Sequence, residues 1–158
     1  MSIEQLSKAT LQQAIFLRDE IFEALSKLDK KTLAASLDPD NFQKFYIQSG
    51  IEKLDYWVYI TDKNEVVGIV GLYSEYTNQA AWLGWYGVHP LQRGQKIGSK
   101  LLDFAIDLAK QRGYKELHLY TTKEHNEAII LYEKRGFVKY KKNKELKTLY
   151  YKKELYAK

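Results

Sequence analysis

Between Gly87 and Leu102 the chain reads Gly87-Val88-His89-Pro90-Leu91-Gln92-Arg93-Gly94-Gln95-Lys96-Ile97-Gly98-Ser99-Lys100-Leu101-Leu102. An apolar strand gives way there to a basic, glycine-marked turn and then directly to an amphipathic helix. The unpaired N–H groups of a helix's first turn, the positive end of its dipole and the whole charges of Arg93, Lys96 and Lys100 meet at one corner. The chemistry such a corner supports is the binding of a phosphorylated ligand. Metal and thiol chemistry have little support. The three histidines, His89, His118 and His125, lack HxxxH or HExxH spacing, so no metal site is expected. The absence of cysteine removes thiol nucleophiles and thiolate sites, and is compatible with a reducing cytosol.

The elements that must position this corner are legible on both sides of it. Thr10 with Gln13 makes a capping box, and Leu11, Ala14, Ile15, Ile21, Phe22 and Leu25 recur at helical spacing, which predicts a helix from Thr10 to about Leu28. Asp38, Pro39 and Gly50 bracket a second. From Tyr56 to Val88, β-branched and aromatic residues broken by Asp62-Lys63-Asn64-Glu65 predict an antiparallel meander of three strands, Tyr56–Thr61, Val66–Tyr76 and Ala80–Val88. The helix after the turn buries Leu101, Leu102, Ala105, Leu108 and Ala109, ends near Arg112 and is stopped by Gly113. Leu117–Thr122 follows as a strand parallel to its predecessor, then a helix Asn126–Arg135 closed by Gly136, then two strands near Phe137–Lys141 and Leu146–Leu155. The sum is an α+β domain around a mixed sheet.

A length of 158 residues with no linker or repeat fits one domain, residues 1–158, able to bury roughly 70% of its unfolded surface. The first residues are charged and amide-bearing instead of apolar, and the longest nearly apolar run, Ala80–Val88, is about half of what a membrane span needs. A soluble, cytoplasmic protein with no membrane partner is expected. The net charge of +5 comes from 25 basic residues interspersed with 20 acidic ones, a pattern that favours a solvated basic surface over a nucleic-acid groove.

The stretch Val66 to Phe137 resembles the GCN5-related N-acetyltransferase (GNAT) family. Arg93-Gly94-Gln95-Lys96-Ile97-Gly98 fits the family's R/Q-x-x-G-x-G/A pyrophosphate loop at its first and last positions. Lys96 stands where the fourth position calls for glycine. A second block, Asn126-Glu127-Ala128-Ile129-Ile130-Leu131-Tyr132-Glu133-Lys134-Arg135-Gly136-Phe137, follows N-x-x-A-x-x-L-Y-x-x-x-G-F with the alanine one place early. The resemblance implies a sheet of six to seven strands, mostly antiparallel, with about four helices and a splayed parallel strand pair. It implies acetyl-CoA as donor, with no metal, and an amine as acceptor. Val88, His89, Arg93, Gly94, Gln95, Lys96, Ile97, Gly98 and Ser99 would hold the donor together with Asn126 and Tyr132. A main-chain N–H at Val88 or His89 would face the thioester oxygen. At Lys96 a glycine torsion would cost lysine on the order of 1 kcal/mol. Either the residue takes that torsion and sets its ammonium beside the diphosphate, or the loop follows another path.

The family's tyrosine, protonating the leaving thiolate, corresponds to Tyr132. Many members take their base from the strand before the loop, but Ala80–Val88 holds no carboxylate. Glu75 and His118 are the candidates for that role. The aromatic middle, with Tyr46, Trp57, Tyr73, Tyr76, Trp82, Trp85 and Tyr86, can line a cleft for a cationic or apolar amine or pack the core. Acceptors in view are a small amine such as a polyamine, an antibiotic amine, or a peptide amine. Family members also pair through sheet edges, which makes a homodimer an expectation. Two alternatives stand beside this reading. One is a polyanion-binding module on the tail Lys139–Lys158, which also reads as a terminal hairpin with Leu149 and Tyr150 toward the core. The other is a protein that binds acetyl-CoA without transferring it.

Overall fold

The computed structural model describes residues 1–22, 32–38, 40, 42, 50–75 and 80–156. In chain order the elements are β1 (Ser2–Gln5), α1 (Lys8–Ile21), α2 (Thr32–Ser36), β2 (Ile51–Ile60), β3 (Val66–Glu75), β4 (Ala80–Leu83), β5 (Gly87–Val88), a 3-10 turn (Pro90–Gln92), α3 (Ile97–Gln111), β6 (Glu116–Thr121), α4 (Asn126–Lys134), β7 (Val138–Asn143) and β8 (Thr148–Glu154). The eight strands form one sheet in the order β1-β2-β3-β4-β6-β8-β7, with β5 also paired to β3. All pairings are antiparallel except β4 with β6. The α+β class and the mixed sheet are as the sequence predicts. The eighth strand arises because β1 adds an edge beyond β2 and because Ala80–Val88 is two strands, not one.

That break positions the site. Leu72 faces Leu83, but three residues earlier Ile69 faces Gly87, so the second strand carries one residue too many. The excess is a bulge at Gly84–Tyr86. Its cause is a close backbone crossing. The Gly84 N–H donates to the Gly71 carbonyl at 2.7 Å, and a Cβ on Gly71 would stand 2.5 Å from the Tyr56 ring and 3.1 Å from the Gly84 Cα. Only glycine on both strands lets the Tyr56 ring lie across them.

Helices cover the sheet from two sides. Leu101, Leu102, Ala105, Ile106 and Ala109 of α3 join Tyr132, Phe137, Leu149 and Tyr151 in one apolar core. Each of the larger side chains adds about 2 kcal/mol by leaving water. α1 and α2 close the other core with Leu17, Leu33, Val58 and Ile69. Arg135 makes two hydrogen bonds to Asp103, at 2.9 and 3.3 Å, and so locks the end of α4 to α3. Among the described residues no helix is long and apolar enough to cross a membrane.

Several boundaries differ from expectation. The N-terminal capping pair is Ser7 with Thr10, the Ser7 N–H donating to Thr10 Oγ1 at 3.0 Å. Gln13 instead reaches β3 and accepts the Val66 N–H at 3.1 Å. α1 stops at Ile21, short of Leu28, because Phe22 turns extended (φ −116°) and packs at a tilt against Trp85 with ring centres 4.8 Å apart. The helix expected between Asp38 and Gly50 lies mostly outside the described residues; its first bond, from the Phe42 N–H to the Asp38 carbonyl, is present at 2.8 Å. Along the tail, Leu149 and Tyr151 point into the core and Tyr150 faces the other way. The lysine-rich segment is thus a sheet hairpin whose Lys141 and Lys152 lie over the Tyr150 and Tyr140 rings.

Candidate functional site

The basic turn is held from both ends. The His89 N–H donates to the Val67 carbonyl at 2.8 Å. Its imidazole accepts the Leu91 N–H through Nδ1 at 3.1 Å and meets Glu20 of α1 through Nε2 at 2.9 Å. Arg93 Nε donates to the Val88 carbonyl at 3.3 Å. Gly94 (φ 83°) and then Lys96 (φ 64°) turn the chain into α3. Lys96 therefore takes the left-handed torsion that glycine would take without strain. Lys100 makes the first helical bond, to the Lys96 carbonyl. Among the described residues, none of the six N–H groups from Gly94 to Ser99 has a protein acceptor. All of these residues but Gln95 border a cleft of about 560 Å³ whose far wall is Glu124 to Ala128, leading into α4. Tyr86 closes its floor by donating its hydroxyl to the Gly98 carbonyl at 2.6 Å. A Cβ at Gly98 would stand 3.1 Å from that hydroxyl oxygen.

Beside this cleft the parallel strands part. β4 and β6 pair at Ala80 with Glu116, Ala81 with Leu117 and Trp82 with His118, and no further. Past the bulge β5 follows β3, while Leu119–Thr121 stays with β8. In an antiparallel ladder the N–H groups alternate sides. Since the Ile69–Gly87 pair and the His89 N–H face β3, the Val88 N–H points away from it, into the gap. A second cavity of about 470 Å³ opens from the gap, walled by Tyr56, Tyr73, Trp85, Tyr86, Tyr120 and Tyr132 among others. Phe22, Tyr86, His125 and Ala128 line both cavities and mark their junction.

A glycine-marked turn into a helix beside a parallel strand pair that parts is the arrangement that the sequence resemblance implies. Residues 19–137 match the profile of the Acetyltransferase (GNAT) family. The chain belongs to the GNAT acetyltransferase family. Among curated relatives, the aminoalkylphosphonate N-acetyltransferase of Salmonella typhimurium is 27% identical over 141 residues, 87% of this chain and 86% of that protein. The mycothiol acetyltransferase of Jonesia denitrificans is 32% identical over 78 residues, 49% of this chain. The chain spans only 25% of that relative's length. A GNAT-family acetyltransferase structure from Staphylococcus aureus Mu50 superposes with a TM-score of 0.77 at 22% identity, covering 98% of this chain and 99% of that one.

Within this GNAT acetyltransferase the expected site residues separate. Val88, Arg93, Gly94, Lys96, Ile97, Gly98, Ser99 and Asn126 all line the first cleft. Gln95 does not, its amide being turned to Gln92 at 3.1 Å. His89 is corrected as an oxyanion donor, because its N–H is already engaged by Val67. Tyr132 is buried on the second cavity, between Tyr86 and Phe137. Burial, and then the neighbouring Tyr86, raise its phenol well above the ordinary range. His118 lines neither cavity. It shares the face of β6 that carries Tyr120 but lies two residues earlier, where the strand is still paired at Trp82, with its ring 2.9 Å from the Tyr140 hydroxyl and 3.4 Å from Glu116. Glu75 does line the second cavity, but at its remote end. Five residues of strand separate it from Val70, the level of the bulge, about 16 Å at the rise of a β-strand. It is therefore not placed to take a proton at the junction. Sequence reasoning missed Phe22 and His125, and treated Tyr86 only as one aromatic among many. His125 had one signal, its place directly before the Asn126 block.

Proposed function

We propose that this acetyltransferase moves the acetyl group of acetyl-CoA to a primary amine by direct attack within a ternary complex. The observation that carries the reading is the junction itself. Five residues with unengaged amides, Gly94 and Lys96 to Ser99, line one cavity, an aromatic chamber forms the other, and a strand gap with an inward N–H lies between. Acetyl-CoA supplies a thioester carbon open to attack. The amides of Gly94 to Ser99, with Lys96 and Arg93, bind its diphosphate. The gap between β5 and β6 takes its extended arm, whose amides can pair as an added strand would. The Val88 N–H stabilises negative charge on the carbonyl oxygen as the amine nitrogen bonds to carbon and the carbon–sulfur bond breaks, and the proton that the nitrogen sheds on bonding passes through water to the departing thiolate, releasing CoA as the free thiol.

An alkylammonium with pKa near 10.4 is only about one part in 10³ free base at neutral pH. The nitrogen must lose a proton first, and His125, which lines both cavities, is the imidazole placed to take it directly or through water. Tyr132 stays protonated across the neutral range. It donates a hydrogen bond to the departing sulfur, a role for which a raised phenol is suited, since outright proton transfer to a thiolate of pKa near 8.5 would be uphill.

Calorimetry tests the donor half of this reading. Acetyl-CoA should bind at least tenfold more tightly than S-acetylpantetheine, which lacks the diphosphate. Equal affinities would remove the turn from the site. Release of free thiol in the presence of amines then tests transfer.

A further inference from the structure

We infer that the preferred acceptor carries a second positive charge, remote from the nitrogen that is acetylated, and that Glu75 holds it. The inference rests on the acetyl-transfer reading of the junction and extends it to the class of acceptor. Three observations carry it. First, among the described residues lining the aromatic chamber Glu75 is the sole carboxylate, and no lysine or arginine lines it. Second, the guanidinium behind the chamber wall does not line it and is engaged: Arg18 is fully buried, donates to Thr32 Oγ1 at 3.1 Å and packs on the Trp85 ring. Third, Glu75 and the junction lie at opposite ends of the chamber, about 16 Å apart along β3.

The two ends therefore ask for different things. At the junction the reacting nitrogen meets Tyr86 and Tyr132, phenols that burial keeps neutral. Glu124 and Glu127 line the donor cleft but not the chamber, and Glu75 is the sole carboxylate among the described residues lining the chamber, so on the chamber side the environment favours the uncharged amine that attacks. At the far end Glu75 acts on a charge that stays on throughout the reaction. Its field already reaches the hydroxyl of Tyr73, whose proton it helps to hold, after burial and Tyr120. Between the ends Tyr73, Tyr120 and Trp85 offer ring faces along which methylenes and a cation can lie. A long diamine or an amine with a cationic tail fits this layout. A short amine cannot bridge it, and an acceptor with a remote carboxylate would set two negative charges together.

The test is acetylation of octamethylenediamine, octylamine and ethylenediamine by the whole chain, read as kcat/KM alongside acetyl-CoA affinity. The wild type should favour the long diamine over octylamine and ethylenediamine by about tenfold or more. Glu75→Gln should bring the ratio of diamine to octylamine toward one while acetyl-CoA affinity and melting temperature hold. Glu75→Lys should turn the preference toward aminooctanoate. Equal use of octylamine and the diamine, or a ratio unmoved in both variants, overturns the assignment of Glu75 and leaves acetyl transfer standing. Tight binding of acetyl-CoA with no transfer to any of these amines overturns the transfer reading, and the inference with it.

Discussion

The two cavities that meet at Tyr86 are built in opposite ways. The donor cleft is mostly backbone, its amides supplied by one short segment from Gly94 to Ser99. The acceptor chamber is mostly side chains, brought together from Phe22 after α1, from α2, β2, β3, β4, the bulge, β6 and α4. A site made of main-chain groups depends on torsions and tolerates changes of side chain. One made of side chains gathered from across the sheet depends on the sheet geometry that aligns them. The first is suited to a constant ligand, the second to one that differs between members of the family.

The sharpest test of that division is Tyr132→Phe. The ring stays in the core against Tyr86, Phe137 and Tyr151, so only the hydroxyl is removed. Turnover at saturating substrates should fall about 10- to 100-fold, the loss of one hydrogen bond of about 1.5–3 kcal/mol to a charged sulfur, while acetyl-CoA affinity changes little. An unchanged kcat would place the chemistry outside the chamber.

Next in size is Gly71→Ala, which leaves both cavities' residues untouched and moves the scaffold. The new methyl would meet the Tyr56 ring at 2.5 Å and Gly84 at 3.1 Å, so the bulge or the ring must shift. Overpacking of this kind costs about 1–3 kcal/mol, a fall of roughly 3–10 °C in melting temperature for a chain of this size. The acceptor KM should rise far more than that for acetyl-CoA, since the amide corner is anchored through Val67 and α3. Equal rises would show that the two cavities share their support.

What could be read from the sequence follows the same division. The corner from Val88 to Ser99 was legible because its parts are contiguous and its glycines mark torsions directly. A motif position alone raised a glycine torsion at Lys96 as one of two outcomes, and the structure takes it. Helix α3 and its stop at Gly113 were legible for the same local reason. The chamber was not. Glu75 seemed a base because it ends the strand before β4, and only the pairing of β3 with both halves of the broken strand shows how far from the junction it lies. His118 seemed to border the splay, but it lies where β4 and β6 are still paired, two residues before Tyr120 enters the chamber wall. The bulge depends on two glycines, Gly71 and Gly84, that are 13 residues apart and announce nothing singly. β1 escaped notice because Ser2–Gln5 is polar and pairs by backbone at a sheet edge.

A smaller effect reports on the chamber's buried phenols. Tyr86 and Tyr132 are both raised in the folded protein by burial, so above pH 10 the unfolded chain loses these protons first. Their contribution to stability is complete below about pH 10 and declines as pH rises past it, by up to about 1.4 kcal/mol per pH unit for each group. Urea midpoints should hold from pH 8 to about 9.5 and then fall. Tyr86→Phe should soften the fall, whereas an identical decline in that variant would mean that other groups govern it. Acetylation of an alkylamine should rise with pH over the same range as free base accumulates.

The smallest change divides the donor side into backbone and charge. Lys96→Gly relieves a left-handed lysine (φ 64°, ψ 16°), a strain of about 1 kcal/mol. The unfolded chain gains freedom of similar size, so the melting temperature should stay level or rise by no more than about 4 °C. The six amides keep their torsions and lose only a neighbouring ammonium. Acetyl-CoA should therefore bind several-fold more weakly at low salt, and the difference should shrink at about 1 M salt, where charges are screened within roughly 3 Å. A drop in affinity that ignores salt would mean that the loop has changed its path. No drop at all would mean that the backbone alone holds the diphosphate, and that the lysine takes a strained torsion without a return in binding.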